Sequence, residues 1–129
     1  MDSIYVTMNS AMEQVSLLKE MCLEHTTCSL LELGGRFFPY TDETLFLCVD
    51  FVRPSPVEGR MLPVVRKLKV VPDKKREEGL LRDNFRHIVY VPTNRSLVKE
   101  FRVFISDEKG NIPSFDYCHL KCTLVIECC

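Results

Sequence analysis

The chain has 129 residues, 46% of them hydrophobic and 27% charged, and its 17 basic and 18 acidic side chains leave a formal charge of -1. That suffices for a single domain, residues 1–129, whose core needs no cofactor to fold. The balanced charge argues against nucleic acid or an anionic membrane as partner, and no apolar run reaches the roughly 18 residues that span a bilayer.

The opening stretch "MDSIYVTMNS" has an early acid and no basic leader, which argues against a signal peptide and for synthesis in the cytosol. Seven cysteines, two of them adjacent at the end, suit reduced thiols better than a disulfide framework. Ile4, Val6 and Met8 alternate with Ser3, Tyr5 and Thr7, which predicts a strand over 2–8. The period then changes. Met12, Val15, Leu18, Cys22 and Leu23 recur every three to four residues, and Ser10 with Glu13 spells a capping box. These residues predict one α-helix over about residues 10–25, with its apolar face against a sheet.

"LGGRFFPY" predicts a glycine-proline break holding a short strand. From Leu45 to Val52 only Asp50 is polar, as in a strand covered on both faces, and Pro54 and Pro56 end it. "MLPVVRKLKVVP" predicts another strand, and the cancelling charges of "DKKREEGLLRDN" a solvated loop. "RHIVYVP" and "EFRVFIS" predict two more short strands. In "YCHLKCTLVIEC", Cys118, Leu120, Cys122, Leu124 and Ile126 share one parity, which marks a buried face. The sum is a mainly β sandwich with one helix.

Chemistry is harder to find. Cys22, His25 and Cys28, with Cys118, His119 and Cys122, offer zinc-type ligands. Strand parity sends His119 away from Cys118 and Cys122, so core packing is the reading for these thiols, with no metal. There is no phosphate loop and no nucleophile elbow, and Glu77 and Glu78 fall in the charged loop. No enzyme, cofactor or small-molecule substrate is predicted. Arg66, Lys67 and Lys69 have no aromatic residues interleaved, so they suit a protected edge strand better than a nucleic-acid groove.

One stretch is more specific. In "FRVFISDEKGNIPSF", Asp107 is placed to accept amide hydrogen bonds and Gly110 to take a positive φ. Pro113 stiffens the exit, and Phe115 turns a ring back toward the sheet. With Val103, Ile105 and the closing "CTLVI", this order resembles the C-terminal region of the penton-like minor capsid proteins of Polinton (Maverick) elements and adintoviruses. "LFLCVDFVRPSPVEGRMLPVVRKLKVVP" and "NFRHIVYVPTNRS" are similar to further blocks of that family, so the likeness covers roughly residues 36–127.

The resemblance implies an antiparallel jelly-roll β-sandwich, a non-enzymatic virion subunit that assembles with itself and with a major capsid protein. It would be made in the host cytosol and assembled in the nucleus. The chain is shorter than such proteins and its "VIECC" lacks their aromatic-basic finish, which implies a shortened copy. Two alternatives stay open: an intracellular β-sandwich interaction module, domesticated from a transposon and binding through a sheet edge, and a zinc-dependent nucleic-acid binder.

Overall fold

A computed structural model describes residues 2–128. In chain order the strands are β1 (Asp2–Met8), β2 (Met12–Cys22), β3 (Thr26–Phe38), β4 (Phe46–Val49), β5 (Ser55–Val57) and β6 (Arg60–Leu62). They continue as β7 (Val64–Lys67), β8 (Val71–Asp73), β9 (Glu78–Asn84), β10 (Val91–Pro92), β11 (Leu97–Ser106) and β12 (Tyr117–Cys128). The fold is mainly β and antiparallel, with no helix among the described residues.

The larger sheet runs β1-β12-β3-β9-β8, with β10 also on β3, and the smaller runs β2-β11-β4-β7; β5 and β6 form a separate hairpin. Ile4, Val6, Phe37, Leu120 and Leu124 of the first sheet share one buried cluster with Leu47, Val49, Phe101, Val103 and Ile105 of the second. The parity of β12 explains this: Cys118, Leu120, Cys122, Leu124 and Ile126 are all buried. Thr123 and Val125, of the opposite parity, are buried too, so this part of β12 is covered on both faces beside a register shift between Thr123 and Leu124. In β4, Cys48 is buried yet lies outside the core cluster, so that strand is covered on both faces, as its apolar run predicts.

The helix predicted over 10–25 is absent; those residues build the edge strand β2. Ser10 caps nothing, and its hydroxyl donates to the Met12 carbonyl instead. Ser16 pairs with Glu100 and Met21 with Val98, so the stretch between them bulges opposite Lys99. Val15, Leu17 and Met21 pack against the core, whereas Leu18, on the bulge, is 100% exposed. The exposed Met12, Leu18 and Cys22 supply the three-to-four spacing without forming a buried face, and pairing with β11 decides the outcome.

Three smaller corrections follow. The "LGGRFFPY" break belongs to the long central strand β3, which pairs with β12 along its whole length. The charged "loop" is the β8–β9 hairpin, and its Glu78 is only 2% exposed. "RHIVYVP" yields no more than the two-residue β10.

Candidate functional site

The turn after β11 is built as its residues suggest. Asp107 Oδ1 accepts from the amides of Lys109 and Asn111, both at 2.9 Å, and Gly110 has φ 83°. Pro113 is half-buried on the way to Phe115, whose ring lies 4.5 Å from that of Phe37 at 32°. Gly110 also sits beside Leu62 and Arg60, so the β5–β6 hairpin folds back onto this turn. Gly110→Val is expected to cost about 1–2 kcal/mol, because a β-branched side chain is strained at positive φ. Urea denaturation with an unchanged midpoint would count against that strain.

The cysteine–histidine clusters are separated by the fold. Cys28, Cys118 and Cys122 are buried in the core, whereas Cys22, His25 and His119 face solvent. Burial pushes the Cys28, Cys48 and Cys122 thiols up to about 12 and Cys118 up to about 11, so none supplies a thiolate near neutral pH. No group of three metal-ligating side chains occurs among the described residues, and Cys129 lies outside them.

The outward face of the larger sheet gathers the polar groups that the chain order disperses. Tyr117 donates its hydroxyl to Glu78 Oε2, and Arg36 Nε lies 3.8 Å from the same oxygen. These partners compensate a carboxylate withdrawn from water. The bond to Glu78, with burial and the carboxylate's charge, raises the Tyr117 phenol above its usual range, while Arg36 and Arg76 oppose the shift. Tyr117 stacks between Phe38, centroids 5.6 Å apart, and His119, 5.8 Å apart. Arg76 completes the rim of this cluster.

Each end of the molecule has its own character. At one end, Leu23 O accepts from the Thr26 hydroxyl at 2.7 Å and the Thr93 hydroxyl at 2.8 Å, and Val52 bridges to Thr93. Asp50 meets Arg95 there at 3.6 Å through one oxygen, while its buried Oδ1 has no protein partner. At the other end, Asp42, Glu43, Asp107 and Glu108 line an acidic hollow of about 300 Å³.

The chain matches no protein-family model and no curated protein. Of the residues singled out from sequence, Asp107, Gly110, Pro113 and Phe115 form one turn. The outward-facing cluster around Glu78 was missed. Its only sequence signal is the opposite parity of β12, where Tyr117, His119 and Lys121 alternate with the buried set.

Proposed function

We propose that the chain is a penton-like structural capsid subunit of jelly-roll type, which acts by self-association and catalyses no reaction. The observation that carries this reading is strand order. Leaving aside the short β5, β6, β8 and β10, the remaining eight strands fall into the orders first-eighth-third-sixth and second-seventh-fourth-fifth. Two four-stranded sheets in these orders support a jelly-roll reading, a double-sheet architecture of eight strands used by viral capsid domains among others. Fold alone does not assign function, so the capsid role rests on this order together with the sequence resemblance.

A subunit of a closed ring needs two different complementary flanks. Here β1 and β2, joined by the short connection 9–11, form the edges at one flank; β7 and β8, joined by 68–70, form those at the other. The first flank carries the exposed Tyr5 and Leu18, and the second Val71. The turn at Asp107 and the β5–β6 hairpin lie side by side, which makes one continuous surface of two candidate contact segments.

Light scattering over a concentration series, followed by negative-stain imaging, tests the reading. Closed rings are expected, formed alone or with the major capsid protein. A strict monomer under both conditions would leave the role without support. It would favour instead an interaction module that pairs a partner strand with the free edge of β2, where Leu18 lies open to solvent.

A further inference from the structure

We propose that the outward face of the larger sheet binds single-stranded nucleic acid, holding the phosphodiester backbone in a cationic trough beside a row of stacked rings. The trough follows from register. Thr7 lies opposite Lys121, Lys121 opposite Gly34, and Gly34 opposite Arg82. One row of side chains therefore crosses β1, β12, β3 and β9, a span of about 14 Å at the usual strand spacing. Gly34 contributes no side chain, so the row has a gap at its centre with a lysine on one side and an arginine on the other.

The surface shows that gap as two adjoining depressions of about 710 and about 370 Å³, which share Gly34, Gly35 and His119. Arg36 borders the larger and Lys121 the smaller. Arg82 and Lys121 are exposed and form no ion pair among the described residues. Of the carboxylates near the trough, Glu78 is paired with Arg36, whereas Glu32 accepts from the Thr123 hydroxyl at 2.9 Å and keeps its charge. Arg36, Arg82 and Lys121 line the two depressions and no carboxylate does, so the trough is locally cationic although the whole chain carries -1.

An acidic peptide satisfies cations as well as a phosphate does; the rings favour the nucleic acid. The stack of Phe38, Tyr117 and His119 ends at the trough, where His119 lines both depressions, and Tyr5, one strand beyond β12, is 77% exposed. Aromatic faces beside a cationic track are the elements by which proteins hold single strands without reading sequence. Gly34, Lys121 and Arg82 lie on β3, β12 and β9, which are not the edge strands assigned to ring contacts, so substitutions there separate binding from assembly.

Fluorescence anisotropy with a labelled oligothymidylate of about 15 nucleotides provides the test. The full chain is expected to bind at low salt and to release steeply as salt rises, as counterion release requires. Arg82→Ala and Lys121→Ala should each lower the salt slope by about 0.7. His119→Ala should weaken binding about tenfold. Gly34→Glu is the sharpest variant. A β-carbon at Gly34 meets only the Leu81 carbonyl, at 3.9 Å, so the fold tolerates the substitution while a carboxylate enters the trough. It should lose about tenfold or more in affinity, whereas Gly34→Ala binds as the parent does. Absence of binding at low salt overturns the proposal, as does unchanged affinity in folded Gly34→Glu. Equal competition by a polyglutamate peptide would assign the trough to an acidic protein segment, and equal affinity for duplex of the same length would remove the role of the rings.

Discussion

Gly35→Ala is expected to cost about 4 kcal/mol or more, a large share of the roughly 5–15 kcal/mol that holds a domain folded. Gly35 has φ 149°, a conformation that L side chains rarely adopt. A β-carbon there would lie 2.1 Å from the His119 carbonyl oxygen and 2.8 Å from the Leu120 α-carbon. Both obstacles are backbone of β12, the strand paired with β3, so no rotamer change relieves the overlap. The two central strands must separate locally, with loss of ladder hydrogen bonds. The neighbouring Gly34→Ala serves as the control, since its methyl group meets only ordinary contact. Guanidinium denaturation of the two variants side by side gives the answer, and coincident midpoints would refute the backbone clash.

The second large effect is expected at Phe37→Ala, about 3–5 kcal/mol. Phe37 is fully buried, its ring rests against Phe115, and beneath it lies Gly79. A methyl group on Gly79 would fall 2.2 Å from the ring, so the glycine is the space that Phe37 occupies. The two positions must therefore couple. Gly79→Ala alone should destabilise by displacing the ring, whereas in the Phe37→Ala background its methyl enters vacated volume and its cost should shrink or change sign. Additive costs in the double-mutant cycle would mean that the ring and the glycine do not share that space.

How much of this was legible follows from where the information lies along the chain. β1 and β12 bury one face each over an unbroken stretch, so alternation alone marks them. The turn at 107–115 was legible because its donors, acceptor and glycine are near neighbours. The edge strand β2 was misread because the apolar Met12, Leu18 and Cys22 on its exposed side complete a helical spacing with Val15, and the pairing that overrides the pattern comes from β11. β3 was largely unseen, because its glycines read as a break. In the fold they are places of close approach, Gly35 against the β12 backbone and Gly34 at the floor of the trough. That trough was invisible for another reason: Thr7, Gly34, Arg82 and Lys121 come from four separate segments, and a net charge summed over the chain averages such a surface away.

The pairing of the first strand with the last sets the order in which the molecule is completed. Asp2 lies opposite Ile126, so β1 waits through the synthesis of more than a hundred residues before its one sheet neighbour among the described residues emerges. Closing so long a loop costs chain entropy before any pairing repays it, which places the fold among the slow, non-local ones. Until then the apolar face of Ile4, Val6 and Met8 stays uncovered, and a nascent chain in that state is exposed to association with its neighbours. For a protein whose edges are proposed to meet other copies, the flank shared by β1 and β2 takes shape only when β12 arrives, so it is finished after the flank of β7 and β8.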